Sequence, residues 1–236
     1  MDTLLVSFDD ADIYERDLMM FKPGCWLNDS CINYCLKRFV KVDRRIACLD
    51  PAVVSFLRLQ AEEEEDEDLV VSLGMNNATW VVLPVNDNES FTSSSNHWSL
   101  LLFHIHSGKS FHFDSSRGFN THSSTKVAAR VATLTRTSRG DIEADQVVQV
   151  SGCPQQGNGF DCGVYCILFA KYICDYLSND GDMLVTSVIG SGGRVLSRIL
   201  SDQLEGDQST ALRLEAAADI EAQSVLYLQS TNTAIL

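Results

Sequence analysis

The 236-residue chain has little positive charge and no long apolar run. Eighteen lysine and arginine residues stand against 32 acidic ones, and the net charge of −14 repels phosphate backbones and anionic lipid. No stretch approaches the roughly 18 apolar residues of a membrane span, and Met1-Asp2-Thr3 lacks the basic region that opens a signal peptide. We therefore expect a soluble intracellular protein that binds neither nucleic acid nor membranes.

Cysteine is too sparse for a disulfide scaffold, with eight residues in the chain, and no pair has the Cys-x-x-Cys spacing of a dithiol redox centre. The pairs Cys31/Cys35 and Cys162/Cys166 have the spacing of stacked helix positions. We expect reduced thiols, as in a cytoplasmic or nuclear protein.

Helical patterns occupy the two ends of the chain. Asn28 or Asp29 can cap a helix with apolar residues at 32, 35, 36 and 39. Further helices are predicted from Pro51, over 126–134, over 162–177, over 195–204 and over about 210–228. Seven acidic residues at 62–68 predict a solvated loop insertion at 61–68. We expect one domain over 1–205 and a helical extension or partly disordered tail over 206–236.

Strand patterns occupy the middle of the chain. The β-branched and aromatic run 79–85 is typical of a strand buried on both faces. Residues 97–105 and 109–114 predict a hairpin that turns at Ser107-Gly108, and 146–150 is a further candidate strand. Strands in the middle with helices around them predict the α+β class.

The segment 152–163 carries the strongest chemical signal. Glycine, proline and asparagine disfavour regular structure up to Asp161, and a helix is predicted to begin at Cys162. The unpaired amides and positive dipole end of a helix start favour thiolate over thiol, so Cys162 is placed to act as a nucleophile. Gly163 next to it permits close approach by backbone or substrate. A buried structural cysteine is the alternative.

A histidine and a carboxylate lie on the predicted hairpin. A turn at Ser107-Gly108 pairs Leu101 with Asp114 and points His97 and Asp114 to the same side of the sheet. Along the strands, however, the two are about four residues apart, or about 13 Å. A bulge, a wider turn or a His97 that precedes the strand must make up the difference.

The remaining histidines of the hairpin do not predict a metal site. In the same register His104 and His106 face one side and His112 the other, so three ligands do not converge. We expect neither a metal ion nor another cofactor.

Four blocks of this sequence resemble the signature blocks of the ubiquitin-like-protein-specific cysteine proteases, the SENP family, in the same order. They are Trp26-Leu27-Asn28-Asp29, His97-Trp98-Ser99-Leu100, Phe113-Asp114-Ser115 and Pro154-Gln155-Gln156-Gly157-Asn158-Gly159-Phe160-Asp161-Cys162-Gly163. The resemblance covers roughly residues 3–175 and is closest to the short, deneddylating branch. It implies a papain-like α+β fold, with a central mixed or antiparallel sheet flanked by helices.

The resemblance also implies roles for particular residues. Cys162 matches the family's nucleophile, His97 the general base and acid, and Asp114 the residue that orients the imidazole. Gln156 matches the side chain that donates its amide to the oxyanion, together with the backbone N–H of Cys162.

Three further positions match the family's substrate contacts. Trp26 and Trp98 resemble the two indoles that cover a tunnel for the modifier's C-terminal Gly-Gly. Asp29 matches a position that pairs with a basic residue near the modifier's tail. Plain packing is the alternative for Trp26, and helix capping is the alternative for Asp29.

The function implied is that of a cysteine isopeptidase and endopeptidase that cuts after Gly-Gly of a ubiquitin-like modifier. The favoured activities are deneddylation and processing of the modifier precursor. A SUMO-specific protease is the alternative function, and a catalytically silent module that binds the modifier is a further alternative. The partner is then the modifier with its lysine conjugates, and the protein is expected to be a monomer.

Overall fold

The computed structural model describes residues 2–59, 67–90, 92–93, 95–136, 146–179, 183–204 and 208–233. The predicted loop at 61–68 lies outside these residues except for Glu67 and Asp68, which begin a short helix. In the described ranges no helix has both the length and the apolar character to cross a bilayer. All eight cysteines lie in the described part of the chain, and all are free thiols.

The described strands form a hairpin and a mixed sheet. They are β1 (Leu4–Phe8), β2 (Ala11–Tyr14), β3 (Ile46–Cys48), β4 (Trp80–Asn86), β5 (Trp98–His104), β6 (Lys109–Phe113) and β7 (Val148–Gln149). β1 and β2 pair antiparallel, and the other five have the order β3-β4-β5-β6-β7. The outer pairs of that sheet are parallel and the inner pairs antiparallel. The predicted α+β class with a mixed central sheet is confirmed.

The helices surround this sheet. They are α1 (Glu15–Leu18), which continues into a 3-10 turn (Met19–Phe21), then α2 (Asp29–Phe39), α3 (Pro51–Leu59), α4 (Glu67–Ser72), α5 (Thr121–Leu134), α6 (Cys162–Asn179), α7 (Met183–Gly190), α8 (Arg194–Gln203) and α9 (Gln208–Thr233). The predicted helices are present, although α5 begins at Thr121 rather than Lys126. The sequence pattern did not predict the hairpin of β1 and β2, the three-residue strand β3 or the helices α1, α4 and α7.

The two inner strands are buried on both faces, which explains their continuous apolar sequences. In β4, Trp80 and Val82 contribute to one core and Val81 and Leu83 to the other. Helices α2 and α6 pack on the first face, and α3 and α5 pack on the second. Their N-terminal ends meet beside β5, since a Cβ at Gly163 of α6 would lie 3.3 Å from Ile32 Cδ1 of α2 and 3.6 Å from Trp98 Cδ1 of β5.

The predicted two-residue turn at Ser107-Gly108 is wrong. Leu100 pairs with Phe113 and His104 with Lys109, so the loop has four residues, 105–108. Backbone amides of Ser107 and Gly108 donate to the Nδ1 and carbonyl oxygen of His104, at 3.2 and 3.0 Å, and close the wider loop. The register moves by two residues relative to the prediction, and this shift carries Asp114 towards His97.

The C-terminal helix α9 packs into the body of the fold. Leu212, Ala216 and Ile220 are buried in the core that α2 and α6 also line. Arg38 of α2 donates to both carboxylate oxygens of Asp219, at 2.8 and 2.6 Å. The described part of the predicted extension thus shares the core of the preceding residues.

Candidate active site

Cys162 is the first residue of α6, as the sequence predicted. Its side chain is only 3% exposed. The amide of Tyr165 donates to the carbonyl of Asp161 at 2.9 Å and makes the first hydrogen bond of the helix. The amides of Cys162 and Gly163 precede this bond and belong to the helix start, where amides have no acceptor within the helix. The thiol therefore lies at the positive end of the helix dipole.

The imidazole of His97 lies between Asp114 and Cys162. Its Nε2 is 2.6 Å from Asp114 Oδ1, and the ring also interacts with the Cys162 side chain. Burial lowers the pKa of His97, but the hydrogen bond to Asp114 and the interaction with Cys162 outweigh burial and raise this pKa to about 9. The imidazolium form is thereby favoured next to the sulfur.

The Asp114 carboxylate is held by backbone amides. Ser116 N donates to Oδ1 at 2.9 Å, and Asn120 N donates to Oδ2 at 3.1 Å. Burial raises the pKa of Asp114, but the hydrogen bond from His97 and these two amides reverse the effect and hold the pKa below its usual range. The carboxylate stays charged, as an orienting group for the imidazole requires.

The distance problem raised by the sequence is solved in two ways. The loop of the hairpin is wider than predicted, and His97 lies just before β5 begins at Trp98. The side chain of Asp87 positions this preceding residue, because its Oδ1 accepts from the amides of Asn96 and His97 at 2.7 and 3.0 Å. Two of the three explanations left open thus apply together.

Asn120 is a residue that the sequence analysis missed. It is fully buried, and its Nδ2 donates to the Val85 carbonyl at 2.9 Å and to Ser99 Oγ at 3.0 Å. It therefore joins β4 and β5 to the loop that orients Asp114. No local pattern predicts this role, since the partners are distant in sequence.

Phe119 was also missed. Its ring packs on the His97 imidazole with centroids 5.0 Å apart, although 61% of the residue is exposed. The two rings are tilted by 59°, so the phenyl ring contacts one side of the imidazole. An exposed phenylalanine in a turn carries no sequence signal for such a role.

Gln156, the predicted oxyanion donor, lies beside the end of β6. Ser115 Oγ donates to its Oε1 at 2.7 Å, and its Nε2 donates to the Asn158 carbonyl at 2.6 Å. A primary amide has two N–H donors, and the bond to Asn158 uses one of them. The side chain is anchored with one donor left for a ligand.

A cleft of about 420 Å³ leads to Cys162 and brings the predicted contact residues together. Its lining includes Trp26, Trp98, Asp29 and Cys162. Trp26 is 47% exposed, whereas Trp98 is 6% exposed and donates its Nε1 to the Leu27 carbonyl at 3.1 Å. The first indole is a free wall of the cleft, and the second is part of the core as well.

Gly163 allows the walls of the cleft to approach α6. A Cβ at this position would lie 3.1 Å from Leu27 Cβ and 3.3 Å from Ile32 Cδ1, which is tighter than ordinary packing. The predicted close approach therefore comes from the protein's own Leu27 and Ile32.

Asn28, rather than Asp29, caps α2. Its Oδ1 accepts from Cys31 N at 2.9 Å, and its Nδ2 donates to Asp17 Oδ1 at 2.8 Å. Asp29 is the first residue of the helix and is exposed at the cleft. The capping alternative for Asp29 is thus removed, and its charge faces the cleft.

Taken together, the thiol, imidazole and carboxylate form a chain that can supply a nucleophile and move a proton. In the described ranges, no three histidine, cysteine or acidic side chains come together as metal ligands.

Comparison with known proteins agrees with this geometry. The profile of the Ulp1 protease family, C-terminal catalytic domain, matches residues 26–223. NEDD8-specific protease 1 of Arabidopsis thaliana is 28% identical over 184 residues, which cover 76% of this chain and 79% of the relative. Sentrin-specific protease 8 of Mus musculus is 26% identical over 182 residues, which cover 75% and 80%.

The fold is shared with a solved structure. The X-ray structure of the C-terminal Ulp1 protease domain in complex with Smt3, the yeast ortholog of SUMO, has a TM-score of 0.59 at 21% identity and covers 87% of this chain and 90% of that chain. Because the family profile spans most of the sequence, the chain belongs to the Ulp1 family of cysteine proteases.

Proposed function

We propose that this Ulp1-type ubiquitin-like-protein protease is a deneddylase, which cleaves after the C-terminal Gly-Gly of the modifier NEDD8 in lysine conjugates and in the precursor. The observation that carries the proposal is the cleft lined by Trp26, Trp98 and Cys162, in which the Cys162 thiol interacts with the His97 imidazole. A cleft that leads to the thiol can hold an extended peptide tail beside it.

In the proposed reaction, the Cys162 sulfur attacks the carbonyl carbon of the terminal glycine. The backbone N–H of Cys162 and the free amide donor of Gln156 stabilise the oxyanion, and a donor of this kind is worth about 3–4 kcal/mol in other hydrolases. The His97 imidazolium gives its proton to the departing lysine amine. Water then attacks the thioester, with His97 as the base, and the modifier leaves with a free carboxylate.

The cleft supplies the proposed selectivity for glycine. In the proposed complex the indoles of Trp26 and Trp98 lie against the modifier tail, where glycine, which has no Cβ, needs the least room. Asp29 lies at the same cleft and suits a basic residue of the modifier near its tail.

The choice of NEDD8 over SUMO is supported by the relatives. The Arabidopsis relative, which is named as NEDD8-specific, aligns over three quarters of both chains, while the resemblance to the Smt3-bound domain supports the fold. A silent binding module is the weaker alternative, because the thiol, imidazole and carboxylate are all present and the imidazole is hydrogen-bonded to the carboxylate.

The test is a panel of modifier precursors with C-terminal extensions: NEDD8, SUMO and ubiquitin. We expect cleavage of the NEDD8 precursor with kcat/KM about tenfold or more above the others. Cleavage of the SUMO precursor alone would overturn the preference. A NEDD8 derivative with a C-terminal electrophile should be captured covalently by the wild type and not by Cys162→Ala; a wild type that binds it without capture would support the silent module.

A further inference from the structure

Arg213 connects the C-terminal helix to the active site. It lies on α9 and is only 3% exposed, and it faces Asp161, which is 4% exposed. Its Nε and Nη2 donate to Asp161 Oδ1 at 3.0 and 2.8 Å. A buried arginine beside a buried carboxylate forms a stable ion pair, because water cannot solvate either charge if the pair separates.

The same guanidinium also holds the segment before Trp26. Nη1 donates to the Met20 carbonyl at 2.9 Å, and Nη2 donates to the Cys25 carbonyl at 2.8 Å. Longer bonds reach the carbonyls of Lys22 at 3.4 Å and Phe160 at 3.3 Å. The N–H donors of the planar guanidinium thus bind two chain segments at once. A lysine ammonium cannot reproduce this arrangement of hydrogen bonds.

Both segments lead directly into the cleft. Asp161 immediately precedes Cys162, and its other carboxylate oxygen accepts from Asn158 Nδ2 at 2.8 Å. Cys25 immediately precedes Trp26, the exposed indole of the cleft. One side chain of α9 therefore contacts both the residue before the nucleophile and the residue before this wall.

We propose that Arg213 is a positioning residue of the protease, which holds the Trp26 segment against the turn that carries Cys162 and so makes α9 part of the active-site architecture. The role follows from the juxtaposition of Asp161 and the Met20 and Cys25 carbonyls around one guanidinium. It depends on the protease activity of the chain and is independent of the preferred modifier.

The chain offers a matched control on the same helix. Asp219 of α9 binds Arg38 of α2 with both oxygens and also accepts from Tyr34 Oη at 2.6 Å. None of these three residues lines the cleft. Asp219→Asn therefore loosens α9 from the body of the protein without touching the contacts made by Arg213.

The experiment compares full-length Arg213→Lys, Arg213→Met and Asp219→Asn with the wild type, at a temperature where circular dichroism shows each to be folded. Two quantities are measured: kcat/KM for the best-cleaved modifier precursor, and backbone hydrogen exchange of peptides covering 19–28 and 156–162. Hydrogen exchange needs no substrate, so this measurement tests the role of Arg213 even if the proposed preference for NEDD8 is wrong.

We expect both Arg213 variants to lose about 10- to 100-fold in kcat/KM and to exchange faster in both segments, since small misplacements of reacting groups cost rate steeply. Asp219→Asn should stay within about twofold of the wild type and leave these segments protected. Arg213→Lys retains a positive charge that can pair with Asp161. It can therefore still be compared with the wild type if Arg213→Met does not fold.

Three results would overturn the proposal. The first is a folded Arg213→Lys with wild-type activity and exchange. The second is an equal loss in Asp219→Asn, which would mean that any loosening of α9 suffices. The third is a failure of both Arg213 variants to fold, which would make the arginine part of the folding core alone.

Discussion

His97 Nε2 lies 2.6 Å from Asp114 Oδ1, although the two residues are not partners across the β5–β6 ladder. Leu100 pairs with Phe113, so Asp114 comes one residue after the pair and His97 three residues before it. The side chains of His97 and Asp114 span the remaining offset of two residues along the strands. The ladder brings the two residues close, and the amides of Ser116 and Asn120 aim the carboxylate.

The upper limb of the pH profile should report on this hydrogen bond. The imidazolium that protonates the leaving amine is lost as the pH rises through the His97 pKa of about 9, so kcat/KM should fall there. Asp114→Asn removes the charge that favours the imidazolium, and the limb should move to lower pH. An unchanged limb in this variant, measured as kcat/KM against pH, would contradict the assignment.

The same bond links stability to pH. Because the folded-state pKa of His97 lies above its ordinary value of 6.5, its contribution to the free energy of unfolding is fully present below pH 6.5 and is lost as the pH rises towards about 9. Urea unfolding of wild type and Asp114→Asn over this range should show that the loss is smaller in the variant.

Cys162→Ser should lower kcat by about 10³-fold or more and leave binding of the modifier intact, because a hydroxyl is a much weaker nucleophile than a thiolate at neutral pH. Cleavage assays and calorimetry with the bare modifier measure the two properties. Cys48→Ser, on strand β3, is the control and should retain activity. Substantial turnover by Cys162→Ser would reject covalent catalysis at this residue.

The two indoles of the cleft should behave differently. Trp26 is largely exposed, so Trp26→Ala should raise KM for the precursor about tenfold while the free energy of unfolding changes by less than about 1 kcal/mol. Trp98 is buried and bonded to the Leu27 carbonyl, so Trp98→Ala should cost about 3–5 kcal/mol of stability as well. Equal destabilisation by both would mean that Trp26 belongs to the core.

Asp29→Ala should weaken binding of the modifier without altering the chemistry at the sulfur. Loss of a charge-assisted contact is worth about 1.5–3 kcal/mol, so KM should rise about tenfold or more. Alkylation of Cys162 by iodoacetamide should keep its rate. Asp12→Ala, an exposed acid on β2, is the control, and an equal effect there would point to overall charge instead.

Asn120→Ala should destabilise the protein by about 1–3 kcal/mol, since the buried Val85 carbonyl loses its donor. Urea unfolding measures the change. Asn77→Ala, at an exposed loop position, should stay within about 0.5 kcal/mol. If the two variants were equally stable, Asn120 would not be the link between β4, β5 and the Asp114 loop.

The sequence by itself determined the features that depend on neighbours in the chain. The start of α6 at Cys162, the start of α2 at Asn28 or Asp29 and the two-sided burial of β4 follow from residue types and spacing over a few positions. Turn preferences, capping and apolar periodicity depend on residues close together in the chain, so they can be recognised from the sequence alone.

The tertiary structure decided the rest. The four-residue loop at 105–108 sets the register that joins His97 to Asp114, and a register is fixed by the loop and the packed faces together. Arg213 reaches Asp161 across 52 positions of sequence because α9 packs into the core beside α6. Contacts of that kind arise from the burial of distant segments against each other, and no local pattern carries them.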